Sequence, residues 1–300
     1  MIRLANAPCS WGVLEFDVAA TPSAPASQVL DEIADTGYAG TELGEWGFFP
    51  TEGAALAADL ARRGLALAGA FVPVALARPD AIEEGIERAK RVARLLADAG
   101  AADASIVLSD DNATVPNRTA RAGRIRPDDG LRASEWDAFA DRASLVAEAV
   151  RAEGGVRTVF HPHVGGYVET PQEIDALMSR TDASLVGLCL DTGHVTYGGG
   201  DALAVIDAYG DRIRHVHFKD CDPRVLQRVR AEACDYHSAV RHGIFCELGR
   251  GRIPFADILD ALRRHRYSGW IVVEQDVVAG MGTPAESARR NRDYLRHFGF

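Results

Sequence analysis

A short apolar segment near the middle of the chain runs directly into two side chains that could do chemistry. Residues 188–194 read LCLDTGH, with apolar residues from Leu188 to Leu190 followed by Asp191, a Thr-Gly pair and His194. The apolar part is typical of a short buried strand. Because Asp191 and His194 are separated by one tight turn, both side chains can face the same pocket. The structural alternative is that Asp191 simply caps the helix that follows.

A second segment, HVHFKD at 215–220, alternates between polar and apolar residues. In a strand, His215, His217 and Lys219 share one face, and Val216 and Phe218 share the other. The apolar face must pack against helices, so the polar face points toward the interior. Barrel interiors are normally filled by branched apolar side chains, so imidazoles and a lysine there indicate a functional site.

Metal-binding donors lie at or near the ends of four consecutive predicted strands, at His161, Asp191, His217 and Glu274. Two imidazoles and two carboxylates form a mixed ligand set that suits Mn²⁺, Co²⁺, Fe²⁺ or Zn²⁺ better than Ca²⁺. A single buried histidine is more often hydrogen-bonded than metal-bound, but four such residues at adjacent strand ends are hard to produce by accident. We therefore predict a divalent metal site with open positions for a chelating substrate.

The elements that must position these residues alternate along the chain. The predicted strands are 2–6, 39–43, 65–72, 104–108, 157–161, 185–190, 212–218 and 269–274. The predicted helices between and after them are 26–36, 52–63, 81–99, 134–153, 171–180, 202–209, 255–265 and 284–297. Such alternation indicates parallel strands with helical connections.

Eight repeating units in 300 residues predict a closed (β/α)8 TIM barrel of the α/β class, as a single domain over 1–300. An open doubly wound sheet is disfavoured because no GxGxxG turn follows the first strand. The interval 219–253 is longer than a typical strand-to-helix loop, and its middle, 225–241, can be helical. In a barrel this interval lies on the catalytic face, so we predict a lid or part of an oligomer contact.

Composition excludes several classes of function. The formal net charge is −10 and no block rich in Lys or Arg occurs, which argues against a nucleic-acid surface. The first residues lack the features of a signal peptide, and no apolar run approaches the roughly 20 residues of a membrane helix. The five cysteines are scattered without a CxxC pair, as is typical of free thiols. These features predict a cytoplasmic protein without nucleic-acid or membrane partners.

Six stretches from the second to the eighth predicted strand carry a resemblance to a known family. They are GTELGEWGFFP (40–50), HPHVGGYVET (161–170), LCLDTGHVTYGGGD (188–201), HVHFKD (215–220), GIFCELGRGRIPF (243–255) and GWIVVEQD (269–276). The sequence resembles the xylose isomerase-like TIM barrels, a superfamily of sugar isomerases, ketose epimerases and endonuclease IV. Within it, the sequence is most similar to the inosose (2-keto-myo-inositol) dehydratases.

The resemblance implies a metal held at Asp191, His217 and Glu274, and a substrate contact at His194. The expected ion is Mn²⁺ or Co²⁺, with Zn²⁺, Fe²⁺ and Mg²⁺ as alternatives. Ketose epimerases of this superfamily carry a glutamate at the end of the fifth strand, where His161 stands here. The nearest carboxylate, Glu169, comes eight residues later, so the mechanism with two opposed carboxylates loses one partner.

The implied activity is that of a metal-dependent lyase in inositol catabolism, which dehydrates a cyclic polyhydroxy ketone through a metal-stabilised enediolate. A ketose isomerase or epimerase on the same metal site is the alternative. A DNA-repair nuclease would need more metal ligands and a basic face, and a non-catalytic binding protein would show no proton exchange. Family resemblance also suggests a homodimer or homotetramer.

The candidates for proton transfer are His194, Lys219 and Glu42, with His163 ranked after them, since imidazole titrates near neutral pH and a metal would lower the pKa of a nearby lysine. Trp11 and Trp46 follow the first two strands and could form an apolar wall against a sugar or polyol ketone, although packing of the loops on the barrel is equally consistent. Arg250 could reach a substrate oxygen or cap its loop. The residues predicted to bind substrate are Trp11, Trp46, His163, Glu169 and Arg250.

Overall fold

Eight parallel strands close into a barrel in the computed structural model, which describes residues 1–13, 24–112, 114–276 and 282–300. The strands of the barrel are β1 (Ile2–Asn6), β2 (Gly40–Glu42), β3 (Ala66–Val74), β4 (Ser105–Asp110), β5 (Arg157–Phe160), β6 (Val186–Asp191), β7 (Ile213–Phe218) and β10 (Gly269–Val273). The barrel closes because β1 pairs in parallel with both β10 and β2. The prediction of a (β/α)8 barrel is confirmed, and the predicted strands overlap those of the barrel.

Twelve α-helices lie in the described parts of the chain. They are α1 (Ala26–Asp35), α2 (Gly53–Ala61), α3 (Ile82–Asp98), α4 (Pro116–Ala120), α5 (Ala133–Gly154), α6 (Pro171–Met178), α7 (Thr192–Tyr197), α8 (Ala202–Tyr209), α9 (Pro223–Ala231), α10 (Tyr236–Arg241), α11 (Phe255–Arg264) and α12 (Pro284–Arg296). Eight of them coincide with predicted helices. Two more, α9 and α10, overlap the interval 225–241 that the sequence indicates can be helical. The remaining two, α4 and α7, are defined by local turns rather than by an amphipathic repeat, so periodicity alone does not reveal them.

Apolar side chains between the barrel and its helices form the main core. In α3, for example, Ala89, Val92, Ala93 and Leu96 are buried in this core, as the 3.6-residue period requires. A group of buried polar residues lies instead at or near the carboxyl ends of the strands, among them Glu42, Asp191, His217, Lys219 and Glu274. None of the helices in the described ranges combines the length and apolarity needed to cross a membrane.

The segment 219–253, here named the insertion, has a defined fold of its own. Its ends, β8 (Asp220–Cys221) and β9 (Phe245–Cys246), pair antiparallel, and α9 and α10 lie between them. The buried carboxylate of Asp220 accepts hydrogen bonds from the backbone N–H groups of Gly249, Gly251 and Ile253. These bonds fix the returning chain at the mouth of the barrel, where Tyr236 and Phe245 are buried.

A buried ion pair supports the loop that follows β5. Arg118 in α4 donates through Nε to the carbonyl of Gly166 at 2.7 Å and makes two hydrogen bonds to Glu173 in α6, at 2.6 and 2.8 Å. The same carboxylate accepts from the backbone N–H groups of Glu169 and Thr170. All of these groups are removed from water, so the loop geometry depends on the arginine.

Replacement of Arg118 by Leu should therefore lower the free energy of unfolding by about 3–5 kcal/mol, because it leaves the Glu173 carboxylate buried without its cation. The matched control is Arg180→Leu, which removes an exposed ion pair with Asp137 and should cost no more than about 1 kcal/mol. Urea-induced unfolding of both variants measures the difference. Equal losses in the two variants would show that the buried pair has no special role.

Candidate active site

The register of three strands brings three metal-binding donors together. Asp191, the last residue of β6, pairs with His217 in β7, and His217 in turn pairs with Val272 in β10. Glu274 lies two residues after Val272 and therefore on the same face. One donor atom from each of Asp191, His217 and Glu274 lies within 4.8 Å of the other two. Nδ1 of His217 is 3.7 Å from Oδ2 of Asp191 and 3.3 Å from Oε2 of Glu274.

The hydrogen bonding of these donors leaves a position for a cation. Oδ1 of Asp191 accepts from the backbone N–H of His194 at 2.7 Å and caps α7. Oδ2 of Asp191 and Nδ1 of His217 are buried and have no hydrogen-bond partner among the described residues. Oδ1 of Asp191 therefore caps α7, and Oδ2 is left as a donor that could bind a cation. Unpartnered buried polar atoms are costly unless something binds them, and a divalent cation fits this donor set.

The net charge of the buried side chains also favours a cation at this site. Three buried carboxylates, Asp191, Glu274 and Asp276, lie within 3.9 Å of the ammonium group of Lys219. A fourth, Glu42, is buried against His217. Burial acts to raise the pKa of Glu274, but the charges of His217 and Lys219 outweigh burial and lower this pKa to about 2. Burial opposes ionisation of Asp191 as well, yet His194 and Lys219 hold its pKa well below the usual range. The cluster thus carries an excess of negative charge that a divalent cation would offset.

Glu42 reaches across the barrel interior to the histidines of β7. Its Oε1 accepts hydrogen bonds from Nε2 of His215 at 2.7 Å and from Nε2 of His217 at 2.9 Å. Gly69 of β3 makes room for this contact, because a Cβ there would lie 3.3 Å from both Oε1 of Glu42 and Cε1 of His215. Glu42, predicted as a proton-transfer group, thus lies within hydrogen-bond distance of His217 and could orient this imidazole.

The protonation of His217 depends on the carboxylates around it. Burial lowers the pKa of this imidazole, but Cys189, Glu274 and Glu42 outweigh burial and raise the pKa well above its ordinary value. A proton on His217 and a metal ion therefore compete for this electron-rich position.

His161 lies at the edge of this cluster. Its Nε2 is 3.4 Å from Oδ2 of Asp191. One of its ring nitrogens also lies within 4.8 Å of donor atoms of Cys189 and His217, but His161 does not share such a cluster with Glu274. The predicted set of four donors is therefore gathered only in part. β5 ends at Phe160, and the backbone N–H of His161 is bound to the carbonyl of Leu108, which fixes where this side chain starts.

Lys219 stands beside the predicted ligands and is held by a carboxylate that the sequence interpretation missed. Its Nζ lies 2.9 Å from Oδ1 of Asp276, 3.0 Å from Oε2 of Glu274 and 3.4 Å from Nε2 of His194. Asp276 follows Glu274 by two residues, so the alternation of the strand could have revealed it.

Aromatic rings of the insertion cover this part of the site. The ring of Phe245 is 4.8 Å from Nζ of Lys219, and the hydroxyl of Tyr236 donates to Asp276 at 3.5 Å.

His163 and His194, both predicted from the sequence, form a stacked pair over this group. Their ring centroids are 3.7 Å apart with the planes tilted by 33°. The ring of Tyr236 lies against both imidazoles, at 5.5 and 6.3 Å. Burial lowers the pKa of His163 well below its usual value, with His161 and Lys219 adding to the effect. Burial does the same to the pKa of His194, so both rings are neutral near pH 7.

Three of the residues predicted to bind substrate lie outside this group. Trp11 is 1% exposed and its Nε1 donates to Glu32 in α1 at 2.6 Å, which favours the packing alternative. Trp46 is 37% exposed and stacks under the guanidinium group of Arg91 at 4.2 Å. The side chain of Arg250 is 67% exposed and pairs with Glu247 at 3.0 Å, which favours its role within the loop.

Glu169, also predicted to bind substrate, is buried, and both oxygens of its carboxylate are hydrogen-bonded to backbone N–H groups. Its two carboxylate oxygens accept from the N–H groups of Gly123 at 2.7 Å and Gly165 at 2.9 Å. Burial raises the pKa of Glu169 to about 7 despite these bonds. The contacts place Glu169 as a support for the loop that carries His163.

The sequence matches the family described as xylose isomerase-like TIM barrel over residues 30–298. An inosose dehydratase of Geobacillus kaustophilus (strain HTA426) is 34% identical over 294 residues, which cover 98% of this chain and 93% of that protein. The rhizopine catabolism protein MocC of Rhizobium meliloti is 36% identical over 271 residues, or 90% of this chain and 81% of that protein.

Solved structures agree on the fold. The D-allulose 3-epimerase from Methylomonas sp. superposes with a TM-score of 0.70 at 16% identity, covering 99% of this chain and 97% of that one. At this identity the likeness extends to the fold alone. The resemblance seen in the sequence motifs is confirmed by these comparisons.

Replacement of Glu42 by Gln should weaken the binding of Mn²⁺ by about 10- to 100-fold, because partners that orient a metal-binding histidine typically contribute that much. Isothermal titration calorimetry of the metal-free protein measures the affinity. The control is Glu45→Gln, which removes a half-buried carboxylate from the loop that follows β2 and should leave the affinity unchanged. Equal affinity in wild type and Glu42→Gln would refute the orienting role.

Proposed function

This chain belongs to the xylose isomerase-like TIM barrel family, and on that premise we propose that it is a metal-dependent dehydratase of a cyclic polyhydroxy ketone such as 2-keto-myo-inositol. The observation that carries the proposal is the inosose dehydratase relative, which aligns over 98% of this chain and 93% of its own length. The convergence of Asp191, His217 and Glu274 supports it, since these donors suit a cation that binds a ketone.

Asp191, His217 and Glu274 are the proposed metal ligands, with His161 next to them. Mixed imidazole and carboxylate donors favour Mn²⁺ or Co²⁺, with Zn²⁺, Fe²⁺ and Mg²⁺ as alternatives. When bound, the cation supplies Lewis-acid polarisation of the substrate carbonyl, which makes the neighbouring C–H more acidic. Glu42 orients His217, and the N–H of His194 fixes the Asp191 carboxylate by its other oxygen.

Dehydration also requires an acid that protonates the departing hydroxyl. Burial lowers the pKa of Lys219, but Asp276, Glu274 and Asp191 outweigh burial and hold this pKa well above its ordinary value. Lys219 is therefore an ammonium group at the edge of the metal position and is the proposed acid. The base that removes the α-proton comes from the imidazoles beside it, His194 and His163.

The insertion keeps water away from these groups. Tyr236 and Phe245 are buried and contact the stacked imidazoles and Lys219. Exclusion of water strengthens each electrostatic interaction in the site and protects a reactive ketone from side reactions. We propose a small polyol ketone as the partner, a cytoplasmic role in inositol catabolism, and assembly as a homodimer or homotetramer.

A ketose epimerase or isomerase is the second candidate, since it shares removal of the α-proton. Solved epimerases share the fold. The identity of position 161 counts against this candidate, because the site presents an imidazole where the opposed-carboxylate mechanism needs a second acidic group.

Protein loaded with Mn²⁺ or Co²⁺ should convert 2-keto-myo-inositol in D₂O to a diketone with loss of water, as followed by NMR. Removal of the metal by a chelator should abolish the reaction, and added metal should restore it, because the carbonyl is otherwise not polarised. Asp191→Ala should lose both metal and activity. The control, Asp222→Asn, changes a capping carboxylate of α9 in the insertion and should retain the metal.

The two proposed activities give different products in this experiment. Exchange of the α-proton for deuterium without loss of water would identify an isomerase or epimerase. No exchange with this ketone or with a panel of ketoses would contradict the proposed substrate class.

A further inference from the structure

One residue, Val164, makes backbone hydrogen bonds to both imidazoles of the stacked pair. Its carbonyl oxygen lies 2.7 Å from Nδ1 of His163. Its N–H group lies 3.2 Å from Nδ1 of His194. A carbonyl can only accept and an amide N–H can only donate, so these two contacts assign the protons on both rings.

The two assignments are opposite. His163 must carry its proton on Nδ1 to donate to the Val164 carbonyl, so the lone pair is on Nε2. His194 must keep a lone pair on Nδ1 to accept from the Val164 N–H, so the proton is on Nε2. His194 is neutral because its Nδ1 keeps a lone pair for the Val164 N–H. His163 is buried and stacked 3.7 Å from His194, which disfavours a charge on this ring as well. The stacked pair thus offers one acceptor and one donor.

The surroundings of the two imidazoles also differ. The Nε2–H of His194 faces Nζ of Lys219 at 3.4 Å, and because both groups are donors this contact is not a hydrogen bond. The ammonium group is bound instead to Asp276 and Glu274. His163 is 9% exposed, whereas the other histidines of the cluster are only 1–2% exposed. The imidazole whose lone pair is on Nε2 therefore belongs to the most exposed of these buried histidines.

We propose that Nε2 of His163 accepts the α-proton of the substrate, and that the Nε2–H of His194 donates a hydrogen bond to a substrate oxygen without transferring its proton. This proposal rests on the proposed dehydratase function and names its base. It differs from the sequence-based expectation, which ranked His163 behind His194, Lys219 and Glu42 as a proton-transfer group and assigned it to substrate binding.

The protons and electrons of the step balance. The substrate C–H bond breaks, an N–H bond forms at Nε2 of His163, and the electron pair moves toward the carbonyl oxygen. Lys219 then gives a proton to the β-hydroxyl, whose C–O bond breaks, and water leaves. The proton on His163 passes back through solvent to Lys219 before the next turnover, so the enzyme is unchanged and the substrate has lost one water.

The first test is independent of activity. Two-bond ¹H–¹⁵N correlation spectra of the metal-free protein report which nitrogen of each histidine is protonated. We expect His163 protonated at Nδ1 and His194 protonated at Nε2. A proton on Nε2 of neutral His163 would overturn the proposal, whatever the activity.

The second test uses variants that preserve the Val164 contacts. Asn at position 163 keeps an N–H donor near the place of Nδ1 but has no base, so His163→Asn should slow α-deuterium exchange and water loss together, by about 10²- to 10⁴-fold. Metal content and thermal midpoint should match the wild type. Lys219→Met should slow water loss while α-deuterium exchange continues, which separates the base from the acid.

The matched variant, His194→Asn, keeps an acceptor for the Val164 N–H. It should raise KM more than it lowers the rate of exchange, because it removes a substrate contact and not the base. Exchange in His163→Asn within threefold of wild type would overturn the proposal while leaving the dehydratase function intact. A wild-type protein that exchanges deuterium into none of the ketones would overturn the function and, with it, this role of His163.

Discussion

Excess negative charge buried at the mouth of the barrel is the constraint on which the rest of the site depends. Glu42, Asp191, Glu274 and Asp276 are all buried, and Lys219 is the one ammonium among them. Uncompensated carboxylates in a medium of low dielectric constant are costly, so they must bind a cation, a proton or a hydrogen-bond donor. The negative charge of these carboxylates favours the proposed metal ion, keeps Lys219 ionised and raises the pKa of His217.

Backbone groups of the loops at the strand ends then determine which atoms of each side chain are hydrogen-bonded and which are left to bind a ligand. The N–H of His194 occupies one oxygen of Asp191 and leaves the other free, and Val164 assigns opposite tautomers to two adjacent imidazoles. The loop that carries Val164 is itself held by Arg118, through the carbonyl of Gly166. Chemistry at the centre of the barrel therefore depends on hydrogen bonds made outside it, as is general for positions that orient reacting groups.

Much of this arrangement could be predicted from the sequence, because strand periodicity decides which residues face the interior. The alternation in HVHFKD places His215, His217 and Lys219 inward, and the strand ends identify Asp191 and Glu274. Contacts that cross the barrel are not predictable in this way. Glu42 meets His217 only because the barrel closes and Gly69 leaves space between β2 and β7. The tautomers likewise depend on backbone positions in a loop, and Trp11 packs inward through a partner, Glu32, in α1.

The most direct test of the central claim is the metal content of purified variants after equilibration with Mn²⁺ and removal of the unbound ion, measured by inductively coupled plasma mass spectrometry. The buried charge at Asp191, His217 and Glu274 predicts about one ion per chain in the wild type, retention in Asp276→Asn, and loss in His217→Gln and Glu274→Gln. A wild-type chain that retains no ion, or an Asp276→Asn variant that loses it as completely as His217→Gln, would contradict the account.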